Sequence, residues 1–92
     1  MARVKPHPGE MLQEEFLVPL NMSARQLADA INVPSNRISE LIRGRRALTA
    51  DTALRLGRYF RTSAEMWMNM QTAYELSCAN HDIVAHIVPR AA

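Results

Sequence analysis

The 92-residue chain is 48% hydrophobic, has a formal net charge of +2 and contains one cysteine, Cys78. This length predicts a single small domain over residues 1–92, and one cysteine excludes an intrachain disulfide. Because there is no apolar run of about 18 residues and the opening MARVKPHPGEM is too polar for a signal peptide, we expect a cytoplasmic protein without a membrane partner.

The hydrophobic spacing predicts five helices and no strong strand before residue 83, which indicates an all-α fold. The first helix is predicted over about residues 8–18, because Pro8 suits a first helical turn and Pro19 disfavours α geometry at Val18. Apolar residues at helical spacing are predicted to form its buried face: Met11, Leu12, Phe16, Leu17 and Leu20.

Cap residues predict the next two helices. The second begins at Ser23, because Ser23 and Gln26 form a capping-box pattern. Asn32 lies where the chain leaves this helix, and asparagine tolerates the left-handed conformation that such an exit needs. The third helix is predicted to begin near Pro34 or Ser35 and to end at Gly44.

The fourth helix is predicted to begin after Thr49, a suitable N-cap, and the fifth near Ser63. The fourth helix is expected to bury Ala53, Leu54, Leu56 or Gly57, and Phe60. The fifth helix carries Met66, Trp67, Met70, Ala73, Tyr74 and Ser77, of which Trp67 and Met70 are expected to lie in the core. Cys78 is expected to be buried and inert, and the tail from His81 is compatible with a short helix or a strand.

The second and third helices, over about residues 23–43, have the spacing of a helix-turn-helix unit. Counted from Ala24, this unit requires six small or apolar inward positions, which are Leu27, Ala28, Ile31, Val33, Ile38 and Leu41. All six positions fit, whereas an ordinary αα-hairpin would not require them. In such a unit the second helix enters the major groove of DNA.

The charge distribution supports a polyanionic partner. Residues 34–61 contain seven arginines and two acids, Glu40 and Asp51, whereas most of the acids lie elsewhere. Residues on the outward face of the third helix are the predicted base contacts: Ser35, Asn36, Arg37, Ser39 and Arg43. The predicted phosphate contacts are Arg25, Gln26, Arg45 and Arg46. Glu40 is expected to orient Arg37 or Arg43, or else to accept a hydrogen bond from cytosine.

Three segments together resemble the HigA-type antitoxins of the Xre, or lambda-repressor-like, group. These segments are HPGEMLQEEFLVPL, MSARQLADAINVPSNRISELIRGRRALTADTALRLGRYF and WMNMQTAYEL, which span nearly the whole chain. Asn21 and Asn32 stand where the family often has glycine, and Met68 and Met70 replace more usual leucines. These substitutions preserve turn geometry and side-chain volume, so they leave the expected five-helix fold unchanged.

The resemblance implies a homodimer that binds a palindromic double-stranded operator and represses its own operon. It also implies that the protein holds inactive a HigB-type toxin, which is a ribosome-dependent mRNA endonuclease. We expect the fifth helix and the C-terminal tail, about residues 63–92, to form the dimer interface. The residues predicted for this interface are Met66, Met70, Tyr74, Ile83, Val84 and Ile87.

Other function classes fit the sequence less well. His81 and His86 are spaced badly for two metal ligands on one helix face, and His7 is better explained as a helix cap. The three glycines form no phosphate-binding loop, so we expect no enzyme activity, no metal and no cofactor. Two alternatives remain open: a transcriptional regulator of the same family without a toxin, and a module whose arginines bind an acidic protein.

Overall fold

The computed structural model describes residues 4–91, in which five α-helices and no strand occur. The α-helices are α1 (Pro8–Leu12), α2 (Ala24–Ala30), α3 (Ser35–Ile42), α4 (Ala50–Phe60) and α5 (Ala64–Cys78). A π-helical segment (Gln13–Leu17) continues α1, and a 3-10 helix (His81–Val84) follows α5. The prediction of an all-α, five-helix fold is confirmed.

The first predicted helix has the expected extent but changes its type after Leu12. The N–H of Val18 donates to the carbonyl of Gln13 at 2.9 Å, which is the longer-range bond of a π-helix. The wider turn brings both Leu12 and Leu17 into the core, although they are five residues apart. Leu20 is exposed, contrary to the prediction, because it lies in the following turn, which ends at Asn21 with a φ of 52°.

Helix caps account for most of the observed boundaries. Ser23 and Gln26 make both hydrogen bonds of the predicted capping box. Ser63 accepts a hydrogen bond from the N–H of Met66, and His7 Nδ1 accepts one from the N–H of Gly9. Thr49 is the N-cap residue of α4 but makes no side-chain cap bond.

A single core lies between the helices, with Trp67 fully buried in it. The ring centroid of Trp67 is 5.1 Å from that of Phe16, and its Nε1 donates to Thr62 Oγ1 at 2.8 Å. On α4 the buried residues are Thr52, Ala53, Leu56 and Gly57, of which all but Thr52 were predicted from the sequence. Leu54, however, is 65% exposed, because at about 100° per residue it falls outside the arc of the helix that the four buried residues occupy.

Two contacts fix the C-terminal end of α3 and the loop that follows it. A Cβ added at Gly9 would lie 1.7 Å from the carbonyl oxygen of Leu41, so α1 approaches α3 as closely as only glycine allows. The backbone N–H of Leu48 donates to the buried side-chain oxygen of Gln71 on α5, at 2.8 Å. The loop between α3 and α4 is therefore held from two sides.

The C-terminal segment differs from the rest, because residues 78–91 are all exposed. Cys78 is exposed, so the prediction of a buried thiol is wrong. The tail begins as a short 3-10 helix, which is the helical one of the two alternatives that the sequence left open. Its apolar side chains are exposed and do not belong to the hydrophobic core: Ile83, Val84, Ile87 and Val88.

Candidate nucleic-acid interface

Helices α2 and α3 form a compact two-helix unit around a tight turn. All six residues predicted to face inward are buried: Leu27, Ala28, Ile31, Val33, Ile38 and Leu41. Asn32 has a φ of 60°, the predicted left-handed conformation, and the N–H of Val33 returns to the carbonyl of Ala28 at 3.0 Å. These contacts set the direction in which α3 leaves the turn.

The outward face of α3 carries the predicted base contacts. Ser35, Asn36 and Arg43 are exposed, and Arg37 and Ser39 are partly buried. The hydroxyl of Ser39 donates to the carbonyl of Asn36 at 3.3 Å, which leaves only its acceptor capacity for another group. The side chain of Asn36 makes no hydrogen bond among the described residues.

Arg37 is held by a carboxylate from the next helix. Its Nη1 donates to Asp51 Oδ2 at 2.8 Å, and Arg55 Nε donates to the same oxygen at 3.0 Å. The hydrogen bond from Arg55 and the neighbouring charges of both arginines lower the pKa of Asp51, so its carboxylate is ionised at neutral pH. Asp51 therefore bridges α3 and α4.

Arg55 also closes the end of α2. Its Nη1 donates to the carbonyl of Ile31 at 2.8 Å and to that of Asn32 at 3.3 Å. Carbonyls at the end of a helix lack partners within it, and a cation there is favoured by the helix dipole. The ion pair between Asp51 and Arg55 was not predicted, although their four-residue separation on one helix is a recognisable ion-pair spacing.

Glu40 was expected to orient Arg37 or Arg43. In the structure its carboxylate pairs with neither of them. It accepts a hydrogen bond from Arg46 Nη2 at 2.9 Å. The reason is the turn at Gly44, whose φ of 71° folds the chain back so that Arg46 lies beside α3. A half-exposed pair of this kind contributes little stability and exchanges readily for a phosphate.

The other predicted phosphate contacts lie at the two ends of the unit. Arg25 and Gln26 are in the first turn of α2, and the side-chain oxygen of Gln26 accepts the N–H of Ser23 at 2.8 Å. Arg25, Arg43 and Arg45 are exposed and form no ion pair with any residue between 4 and 91. Their guanidinium groups are open to a ligand.

Residues 4–91 show neither a metal-ligand cluster nor a helix suited to span a membrane. No group of three His, Cys, Asp or Glu side chains there is arranged to hold a metal ion. His81 Nε2 lies 2.7 Å from the carbonyl of Leu76, which is a local contact. No helix in this part of the chain combines the length and apolar character needed to cross a bilayer.

Comparison with known proteins connects this geometry to one family. A family model described as Helix-turn-helix matches residues 13–67. Virulence-associated protein I of Dichelobacter nodosus is 55% identical over 83% of this chain and 70% of its own length. Antitoxin HigA-1 of Vibrio cholerae is 39% identical over 83% of this chain and 74% of its own length.

A solved structure agrees with these relatives over most of the fold. The structure of the Pseudomonas aeruginosa antitoxin HigA with the higBA promoter has a TM-score of 0.86 and 41% sequence identity. The superposition covers 91% of this chain and 95% of that one. On the match of residues 13–67 and on these relatives, the chain belongs to the helix-turn-helix family and to its HigA-type antitoxins.

Proposed function

We propose that this antitoxin represses its own operon by binding a palindromic operator as a homodimer, and that it neutralises a HigB-type mRNA endonuclease. The observation that carries the DNA-binding part is the outward face of α3, where polar side chains suited to base edges are exposed beside unpaired arginines. The Pseudomonas HigA structure, which contains the higBA promoter, supports the same use of this fold.

The proposed base contacts are Ser35, Asn36, Arg37, Ser39 and Arg43. They lie along α3 or directly after it, and the N-terminal half of such a helix meets base edges in the major groove. Asn36 has a free side-chain amide, which can pair bidentately with adenine. Arg37 and Arg43 can pair with guanine, whereas Ser35 and Ser39 suit either a base or a phosphate.

The proposed phosphate contacts are Arg25, Gln26, Arg45 and Arg46. Arg25 and Gln26 lie at the N-terminus of α2, where backbone N–H groups and the helix dipole add to the attraction for a phosphate. Arg45 and Arg46 follow the turn at Gly44, beyond the end of α3. Arg46 reaches a phosphate by exchanging its bond to Glu40 for one to the DNA backbone.

The proposed dimer interface consists of Met66, Met70, Tyr74, Ile83, Val84 and Ile87. Met66 and the three tail residues are exposed, and Met70 and Tyr74 are partly buried. Exposed apolar side chains in this number are typical of a surface that another molecule covers. A two-fold axis near α5 would set the two α3 helices about 34 Å apart, which is one turn of DNA.

A gel-shift titration with the DNA upstream of the protein's own reading frame tests operator binding. Arg45→Ala should weaken binding to all sequences and lower the salt slope by about one, because one phosphate contact is lost. Asn36→Ala should instead reduce the preference for operator over unrelated DNA. Lys5→Ala removes one positive charge outside both the helix-turn-helix unit and the proposed dimer interface, and it should change neither property. Unchanged operator binding in both test variants would contradict the assignment.

Toxin neutralisation requires a separate experiment. The protein should be co-expressed with the product of the adjacent reading frame, with growth and mRNA cleavage as the readouts. The antitoxin should co-purify with that product and suppress its cleavage of mRNA. Selective operator binding without either effect would identify the protein as a regulator without a toxin.

A further inference from the structure

We propose that Asp51 is a positioning residue for sequence readout: it fixes the Arg37 guanidinium on the DNA-facing side of α3 and is itself anchored through Arg55. The inference rests on the proposed function, because it takes Arg37 as a base contact. It extends that function, since the selectivity at one base pair then depends on α4 rather than on α3 alone.

The geometry places one carboxylate oxygen between two helices and a turn. Asp51 Oδ2 accepts from Arg37 Nη1 at 2.8 Å and from Arg55 Nε at 3.0 Å. Asp51 is in the first turn of α4, and Arg37 is in the first turn of α3. A cation is disfavoured at a helix N-terminus by the helix dipole. The contact with Asp51 compensates for this unfavourable interaction and also orients the Arg37 guanidinium.

The contact leaves Arg37 enough donors to read a base. A guanidinium has five N–H donors, and Asp51 engages Nη1 alone, so Nε and Nη2 remain for a bidentate bond to guanine. A free arginine side chain samples many rotamers, and most of them reach phosphates rather than one base edge. Holding Nη1 therefore converts a flexible cation into a directed pair of donors.

Arg55 makes the carboxylate a fixed reference point. It binds Asp51 through Nε and the carbonyls of Ile31 and Asn32 through Nη1, at 2.8 and 3.3 Å. The position of Asp51 is thus tied to the same turn that sets the direction of α3. The low pKa of Asp51, caused first by the hydrogen bond from Arg55, keeps this tie charged at neutral pH.

A second role for Asp51 predicts a different result. A carboxylate near DNA reduces affinity for every sequence, so an acid that only moderates the basic surface would affect all sites equally. A positioning residue instead affects discrimination at the single base pair that Arg37 contacts. Discrimination between base pairs therefore separates the two roles better than affinity does.

The test uses the full-length Asp51→Asn variant and a set of operators in which each base pair is changed in turn. Its preference at the base pair read by Arg37 should fall about five- to tenfold, which is the lower part of the roughly 5- to 150-fold range of one bidentate contact. Preference at the other base pairs should be kept, and affinity for unrelated DNA should be unchanged or higher. Asp29→Asn makes the same chemical change on α2 and should alter no preference. A thermal melt of each variant verifies folding.

The Arg37→Ala background completes the test. Arg37→Ala alone should lose the same preference, and adding Asp51→Asn to it should cause no further loss. The inference is overturned if Asp51→Asn retains every wild-type preference. It is also overturned if Asp51→Asn causes the same loss of preference in the Arg37→Ala background as it does in the wild-type protein. Wild-type protein that shows no selective operator binding would instead remove the proposed function, and this inference with it.

Discussion

The helix-turn-helix region and the C-terminal end hold their surfaces in different ways. All three ion pairs between described residues lie within residues 37–55, where they link α3, α4 and the loop between them. From Leu76 onward the surface instead presents exposed apolar side chains with few polar contacts. Side chains that are held by polar contacts lose little conformational entropy when they bind a rigid ligand. An exposed apolar surface, in contrast, is typical of a site that another molecule covers.

The helix-turn-helix region packs on the single core and α5 supplies the centre of that core, Trp67, so the largest expected effect comes from removing Trp67. Trp67→Ala should lower the free energy of unfolding by about 3–5 kcal/mol, because it leaves a large cavity and frees the Thr62 hydroxyl. Leu54→Ala, at an exposed position on α4, should change it by less than about 0.5 kcal/mol. Urea unfolding monitored by circular dichroism measures both. Similar losses in the two variants would contradict the observed core.

The caps allow a narrower comparison at the start of the helix-turn-helix unit. Ser23→Ala should cost about 1 kcal/mol, because it removes the bond that satisfies the N–H of Gln26. Thr49→Ala is the matched control, since Thr49 occupies an N-cap without a side-chain cap bond. Urea unfolding of both variants should therefore show a smaller loss for Thr49→Ala. Equal losses would indicate that Thr49 stabilises α4 in another way.

His7 gives the stability of the N-terminal region a dependence on pH. Burial lowers the pKa of His7 below 6.5, and the backbone of Arg46 and the charge of Glu10 only partly offset this. Since the folded state resists protonation, the full stability contribution is present above pH 6.5 and declines as the pH falls toward the lower folded-state pKa.

The variant His7→Asn isolates this effect, because asparagine keeps an acceptor for the N–H of Gly9 but does not titrate. Wild-type protein should lose more stability than His7→Asn when the pH falls from 7 to about 5. Thermal unfolding at closely spaced pH values gives the comparison. Parallel curves for the two proteins would exclude His7 as the titrating group.

The smallest effect on folding is expected in the tail. Ile83→Ser with Ile87→Ser should change the free energy of unfolding of the monomer by less than about 0.5 kcal/mol, since both side chains are exposed. The same pair should shift sedimentation from dimer toward monomer at micromolar concentration. A monomeric wild-type protein, or a double variant that remains dimeric, would exclude these residues from the interface.

The sequence predicted those features that depend on local spacing. The capping box at Ser23, the left-handed Asn32 and the six inward positions of the helix-turn-helix unit each follow from a few neighbouring residues. Leu54 was assigned to the core wrongly because an apolar residue next to an inward one widens the apparent face. Leu20 was misassigned because the helical spacing was extended past Pro19 into a turn.

Partners of charged side chains were predicted less well, because they depend on how helices cross. Nothing in the spacing of Arg37 and Asp51, which are 14 residues apart, indicates that they meet. Glu40 had possible partners three residues away on α3, yet the turn at Gly44 brings Arg46 closer. The base and phosphate contacts themselves remain predictions, since they concern a second molecule.

The buried bond between Gln71 and Leu48 limits how this protein can diverge. The helix that supplies the acceptor, α5, also carries three of the proposed dimer residues, Met66, Met70 and Tyr74. An exposed position such as Leu76 can be substituted without disturbing the core. Position 71 is not, because losing its acceptor would leave the N–H of Leu48 buried without a bond. Surface residues of α5 around Gln71 can therefore be substituted, while the bond from Gln71 keeps the shape of the loop that carries Arg45 and Arg46.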